Sequence, residues 1–261
     1  MHILNPNCNV DSFFTRLTNG EQAVLLLDYD GTLAPFTAER DRAYPYPGVR
    51  ERLNRIQSSS ETRLVIVSGR RSQEVIRLLG LDRIPEIWGQ HGAERRLPDG
   101  SIQTLKLPDL AIKGLAEAEI WVEKNGLAPI CELKPTSLAF HWRALSESET
   151  SQIHSKVSAK WGKASHNYGL LLRDFDGGLE LKVAGIDKGR AVRQILGELT
   201  GKAVVAYLGD DYTDEDAFNA LAGNGLRVLV RPEARPTAAD IWLQPPEELM
   251  GFIDRWLTAT A

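Results

Sequence analysis

Two acids one residue apart, Asp28 and Asp30, follow the apolar run Leu25-Leu26-Leu27 and precede Gly31-Thr32. Carboxylates held together in one crevice repel each other, so the pair points to a bound cation, to two carboxyls that protonate differently, or to both. An Asx turn closing a strand is the alternative for a lone Asp-Gly. Further polar clusters at equivalent places argue against a turn alone. Leu64-Val65-Ile66-Val67 runs into Ser68-Gly69-Arg70, and Val204-Val205-Ala206-Tyr207-Leu208 runs into Gly209-Asp210-Asp211 with Asp214 close behind. Lys188 opens an amphipathic segment, a placement that opposes the helix dipole and is odd for a merely solvated lysine.

The elements that must position these groups are legible from periodicity. Short all-apolar runs read as strands buried on both faces, which belong to parallel sheets. A fourth such run is Arg227-Val228-Leu229-Val230, followed by Arg231-Pro232. Amphipathic segments lie between the runs at Val49–Gln57, Ser72–Leu79, Gly189–Thr200 and Glu215–Ala222, as right-handed βαβ units require. Ligands of open parallel sheets bind beyond the carboxyl ends of the strands, where Asp-x-Asp, Ser-Gly-Arg and Gly-Asp-Asp all fall. The middle of the chain differs. Leu110–Lys124 and Ser148–Trp161 read as helices, Thr136–Arg143 as a half-exposed antiparallel strand, and Gly169–Lys182 as a hairpin through the turn-rich Asp174–Gly178. The predicted organisation is a core formed by residues 1–106 and 183–261, with a compact α/β cap inserted at 107–182.

Bulk properties bound the partners. The 261 residues support one large domain or a core with an insert, and a formal charge of −4 gives no general attraction to nucleic acid or an anionic membrane. Two cysteines, Cys8 and Cys131, are too few for a disulfide framework and lack metal-type spacing. No secretory signal opens the chain and no apolar run reaches membrane-spanning length, so a cytoplasmic location is expected.

Asp-x-Asp-Gly-Thr, strand-Ser-Gly-Arg, Asp-Lys-Gly and Gly-Asp-Asp-x-x-Asp, in that order, resemble the haloacid dehalogenase superfamily of phosphohydrolases. Within it, Gln90–Glu94, Leu138–Arg143, Gly178–Lys182 and Gly209–Phe218 are most similar to the trehalose-6-phosphate phosphatase family. The resemblance covers essentially the whole chain and implies a Rossmann-like α/β core with an inserted α/β cap. It also implies an aspartyl-phosphate mechanism, in which Asp28 attacks phosphorus and Asp30, initially protonated, is the acid for the departing sugar oxygen. Mg²⁺ would be held by Asp28, Asp210 and the backbone carbonyl of Asp30, with Asp214 orienting the metal shell. Ser68 and Lys188 would steady the phosphoryl oxygens, with Thr32 adding a contact. Helix capping is the plain alternative for Ser68 and for the acids at 210–215. Sugar hydroxyls would be read by Glu132, Lys134 and Glu180 of the cap, groups that donate and accept strong hydrogen bonds. His91, Arg70, Arg143 and Lys182 are further candidates near the substrate. The family often has Pro after its Glu-x-Lys/Arg segment, where this chain has Val183, so the hinge departs from the pattern.

The expected reaction is release of phosphate from trehalose 6-phosphate, with a separate glycosyltransferase (synthase) chain supplying the substrate. The close alternatives are phosphatases of glucosylglycerol phosphate or mannosylglycerate phosphate. A phosphomannomutase-like transferase shares the first motif, but the Gly-Asp-Asp-Tyr-Thr-Asp-Glu-Asp run and the His-Gly-Ala-Glu loop favour a hydrolase. A non-enzymatic sugar-phosphate sensor is disfavoured because Asp28, Asp30, Lys188 and Asp210 are all present.

Overall fold

The computed structural model describes residues 1–37, 39–142, 145–175 and 177–261. Two compact units emerge, Met1–Thr104 with Asp187–Ala261, and Leu105–Ile186. The first unit begins with β1 (His2–Ile3), α1 (Val10–Thr18), β2 (Gln22–Leu27), α2 (Val49–Ser59), β3 (Arg63–Val67), α3 (Ser72–Leu79), β4 (Glu86–Gly89), β5 (Glu94–Arg96) and β6 (Ile102–Thr104). The second unit comprises α4 (Asp109–Lys124), β7 (Cys131–Lys134), β8 (Ser137–His141), α5 (Glu147–Tyr168), β9 (Leu170–Phe175) and β10 (Gly178–Val183). The chain then returns to the first unit through α6 (Lys188–Glu198), β11 (Ala203–Gly209), α7 (Glu215–Leu221), β12 (Leu226–Val230), β13 (Ile241–Leu243) and α8 (Glu247–Ala259).

The first unit's sheet has the order β1-β13-β12-β11-β2-β3-β4-β5-β6. Its centre, from β13 to β4, is parallel, while β1, β5 and β6 add antiparallel edges. The all-apolar strands follow from helices on both faces. Along β2, Leu25 and Leu27 join a core with Phe14, Leu53 and Trp256, whereas Val24 and Leu26 join one with Val192, Ile195 and Phe218. Each face therefore takes alternate side chains, and both are dry.

The second unit is an antiparallel sheet of order β7-β8-β10-β9. Its helix-facing side buries Leu138, Phe140, Leu179 and Leu181, with the Phe140 ring 4.7 Å from that of Trp161 in α5. The second helix continues to Tyr168, beyond the Trp161 predicted from apolar spacing, and ends where Gly169 takes a left-handed φ of 62°. Among the described residues, no helix is long and apolar enough to cross a membrane.

At the amino end of the parallel strands, Glu86 and Glu198 lie between Arg63 and Arg95 in an ion-pair network with separations of 2.6–2.9 Å. Burial pushes the Glu198 carboxyl up, but hydrogen bonds from Arg95 and Arg63 outweigh it and bring the pKa down to about 2. A carboxyl depressed on folding contributes stability above its unfolded value, and that contribution is lost as pH falls through its folded value. Glu198→Gln should therefore lower the melting temperature at neutral pH, with the gap to the parent closing as pH drops from 4.5 towards 2. Thermal melts across that range check this, and a gap independent of pH would remove Glu198 as the source.

Candidate active site

Strands β2 and β11 are neighbours in a register that pairs Leu27 with Leu208. The residues that follow, Asp28 and Gly209-Asp210, therefore leave the sheet side by side, and the Asp28 amide donates to the Leu208 carbonyl at 2.9 Å. Tyr29 turns the opposite way into the core, where its hydroxyl donates to the Ala43 carbonyl at 2.7 Å. Helix α6 brings the counter-charge. Asp187 caps it by accepting from the Arg190 amide, and Lys188 is its first residue. The Lys188 ammonium donates to Asp28 Oδ1 at 2.7 Å and to Asp214 Oδ1 at 2.8 Å, and its side chain is 4% exposed.

Such a buried lysine would tend to lose its proton, because desolvation penalises the charged form. The charges of Asp214, Asp28 and Asp210 overcome that tendency and hold the Lys188 pKa above the ordinary lysine value. Burial pushes the Asp28 carboxyl up, Lys188 pulls it back, and the charge of Asp214 adds to the rise, so the net shift is upward. Asp210 is also shifted upward, first by burial and then by Asp28 and Asp214.

Asp214 is the hub of the cluster. Its Oδ1 accepts from Lys188 and from the Tyr207 hydroxyl at 2.6 Å, and its Oδ2 accepts from the amides of Asp210 and Asp211 at 3.2 and 3.0 Å. By contrast, Asp210 Oδ1 is buried with no hydrogen-bond partner among the described residues. Asp28, Asp210 and Asp214 each offer a carboxylate oxygen, all within 4.8 Å of one another, the geometry of a group that could hold a metal ion. Close packing makes glycine necessary beside it. Gly31 has a left-handed φ of 83°, and a Cβ there would overlap the Asp210 carboxylate. A Cβ on Gly209 would likewise overlap the Asp214 carboxylate.

The other predicted core residues surround this cluster. Thr32 is buried, and its hydroxyl donates to Asp28 Oδ2 at 3.3 Å. Ser68 is also buried; its Oγ accepts from the Arg70 amide at 3.1 Å, whereas the cap position of α3 is occupied by Arg71. The His91 amide donates to the Ser68 carbonyl, and its ring lies over Gly69, where a Cβ would sit 2.5 Å from Nε2. Arg70, read from sequence as a substrate neighbour, grips Asp30. Its Nε and one terminal nitrogen each donate to a separate Asp30 oxygen at 2.6 Å, and the other terminal nitrogen donates to the Arg40 carbonyl at 2.8 Å.

In the second unit, cross-strand register places the predicted sugar-binding groups on one face. Glu132 pairs with Ala139, which pairs with Glu180, and the adjacent row runs Lys134, Ser137, Lys182. Directly opposite residues share a face, so Glu132, Lys134, Glu180 and Lys182 stand on the side away from Phe140 and Leu181. The Glu132 carboxylate is 3.2 Å from Lys134 Nζ and from His141 Nε2. Arg143 lies outside the described residues. Sequence reasoning passed over Tyr207, whose aliphatic neighbours make it read as core. The available signal was a hydroxyl in an otherwise dry strand, since a buried tyrosine hydroxyl needs a partner.

The profile of the trehalose-phosphatase family matches residues 26–245. A probable trehalose-phosphate phosphatase 4 from Oryza sativa subsp. japonica is 30% identical over 258 residues, covering 91% of this chain and 66% of that protein. A trehalose-phosphate phosphatase from Mycobacterium marinum is 32% identical over 244 residues, covering 88% of this chain and 60% of that protein. The chain thus spans less than two thirds of the length of either relative. The C-terminal domain of the Candida albicans trehalose-6-phosphate phosphatase superposes with a TM-score of 0.76 at 19% identity, covering 100% of this chain and 99% of that domain, a likeness of fold. Because the profile takes in most of its length, including both strand-end motifs that meet at Lys188, the chain belongs to the trehalose-phosphatase family of the haloacid dehalogenase superfamily.

Proposed function

We propose that this protein is a Mg²⁺-dependent phosphatase that hydrolyses trehalose 6-phosphate to trehalose and phosphate. The observation that carries the reading is the buried cluster itself. Three carboxylates lie within 4.8 Å of one another, two of them paired with one ammonium, and one oxygen of the third is buried with no hydrogen bond among the described residues. A hard divalent cation with oxygen ligands fits that donor set. Asp28 and Asp210 would hold the ion with the Asp30 carbonyl, while Asp214, its oxygens already occupied by four donors, steadies Lys188 and the Asp210 turn. Bound there, the ion would offset negative charge on the phosphoryl oxygens.

The chain's own residues supply the covalent steps. An Asp28 carboxylate oxygen attacks phosphorus and the bond from phosphorus to the sugar oxygen breaks, while Asp30, which must first take up a proton on one of the two oxygens that Arg70 now holds, gives that proton to the leaving oxygen. Asp30 then takes a proton from water as the water attacks phosphorus, and the bond to Asp28 breaks to release phosphate. Lys188 has three N–H donors, and Asp28 and Asp214 take two of them. The third donor serves the phosphoryl group together with Ser68 and Thr32. We assign Arg70 to holding Asp30, since its guanidinium already bonds both Asp30 oxygens and the Arg40 carbonyl. Sugar recognition falls to Glu132, Lys134, Glu180 and Lys182, which share one face of the second unit's sheet; His91 of the first unit stays a separate candidate. A glycosyltransferase would supply the phosphorylated disaccharide.

Phosphate release from trehalose 6-phosphate, glucosylglycerol phosphate and mannosylglycerate phosphate, each with Mg²⁺ and with excess EDTA, tests the assignment. Trehalose 6-phosphate should be preferred and EDTA should abolish turnover. Preference for another substrate would replace the sugar, and full activity in EDTA would remove the metal.

Asp28→Asn should fold normally and show no turnover, because an amide cannot form the acyl phosphate. Wild-type-like activity in the folded variant refutes the covalent route.

Arg70→Ala should lose about tenfold to a thousandfold in kcat on trehalose 6-phosphate and far less on nitrophenyl phosphate, whose leaving group needs little protonation. Equal losses on both esters would leave Arg70 a purely structural role. A rise in KM for the sugar substrate alone would return it to substrate binding.

A further inference from the structure

The cation reading leaves open what aims the Asp210 carboxylate. Its Oδ1 has no hydrogen-bond partner among the described residues, so its direction is set through the main chain at Asp210-Asp211. On one side, the amides of both residues donate to Asp214 Oδ2. On the other, Arg235 donates through Nε to the Asp210 carbonyl at 3.3 Å and through a terminal nitrogen to the Asp211 carbonyl at 2.7 Å. The turn is therefore gripped at its amides and at its carbonyls.

Arg235 comes from the segment between β12 and β13, and it is itself fixed. Its side chain is 6% exposed, ion-paired with Glu215 at 2.5 Å, and stacked 4.7 Å from the centre of the Tyr212 ring. Glu215 also accepts from the Thr237 hydroxyl at 2.7 Å and the Ala238 amide at 2.8 Å. Its carboxylate is thus turned away from the acidic cluster and spent on this segment. The planar fork of a guanidinium can meet two successive carbonyls at once, which a single ammonium does poorly.

We propose that Glu215 and Arg235 form a positioning pair that presets the Asp210-Asp211 turn and so tunes divalent-cation affinity without touching the ion. The inference rests on the metal reading above. Outer partners of metal ligands commonly account for tenfold to hundredfold in affinity.

The test titrates Mn²⁺, an octahedral oxygen-seeking stand-in for magnesium, into the metal-free protein and counts free ion by electron paramagnetic resonance. Arg235→Ala and Glu215→Gln should each raise Kd about tenfold to a hundredfold at unchanged stoichiometry. Arg235→Lys, which keeps the charge and offers a gentler change should the alanine variant misfold, should recover only part of the loss. The Mn²⁺ concentration for half-maximal turnover should rise in parallel, with kcat largely restored at saturation. A merely structural pair would instead lower the binding stoichiometry, as part of the protein unfolds, and leave Kd alone; that result overturns the proposal. So does a parent-like Kd in Arg235→Lys and Glu215→Gln together. An Asp210→Asn control that binds Mn²⁺ as tightly as the parent would instead overturn the metal reading, and the proposal with it.

Discussion

The structure is organised around one buried ammonium. Lys188 sits between Asp28 and Asp214, with its side chain and those of both acids at most 4% exposed. Removing ions from water is expensive, and only close, fully hydrogen-bonded counter-charges make such burial tolerable. Deleting one member would leave the others uncompensated. This interaction links α6 to the turns that follow β2 and β11, segments far apart in sequence. The two strands must be adjacent and parallel for Asp28 and Asp214 to reach one nitrogen. The return of the chain from the second unit must also deliver α6 with Lys188 at its first turn.

Crowding follows from that geometry. Asp28 and Asp210 leave neighbouring strands, so their carboxylates share a small volume with Asp214, and the backbone must come close to admit them. Glycine is the residue that allows this at 31 and 209, where a Cβ would intrude on Asp210 and Asp214 respectively. Tyr207 shows the same pressure within the core. It stands in a strand that is otherwise aliphatic and spends its hydroxyl on Asp214. Burial, then the charges of Asp214 and Asp28, raise its pKa well above the ordinary tyrosine value, which keeps it a neutral donor.

What the sequence discloses and what it hides divide along physical lines. The runs at Leu25–Leu27, Leu64–Val67, Val204–Leu208 and Arg227–Val230 are visible because strands dry on both faces need apolar residues at every position. Their observed spans, Gln22–Leu27, Arg63–Val67, Ala203–Gly209 and Leu226–Val230, extend those runs by one to three residues. The half-exposed Cys131–Lys134 strand has no such run, and its sequence carries no strand signal. Lys188 stands out because it opposes a helix dipole, a conflict with local preference that signals a longer-range partner. Partner choice was hidden. The chain offers 31 Lys and Arg residues, and no local pattern says that Arg70 grips Asp30 or that Arg235 holds the carbonyls of Asp210 and Asp211. Those pairings depend on how turns from separate strands converge, which appears only once the sheet is assembled.

The charge inventory around Lys188 also explains why such a site would take up a cation. Three carboxylates face one ammonium, so the fully ionised cluster carries a net negative charge before any substrate arrives. The Arg70 guanidinium is already matched by Asp30, and that of Arg235 by Glu215. A phosphate ester is itself an anion, and a site that repels it cannot position it for attack by another anion. On the proposed reading, a divalent ion held by Asp28 and Asp210 would remove that repulsion, and the third donor of Lys188 would complete the attraction. The burial that makes the carboxylates costly to ionise alone also leaves Asp210 Oδ1 without a hydrogen-bond donor among the described residues. A cation would therefore satisfy a group that folding has deprived of both water and hydrogen bonds. Stability and substrate binding then make the same demand on the site, and neither is met by the side chains alone.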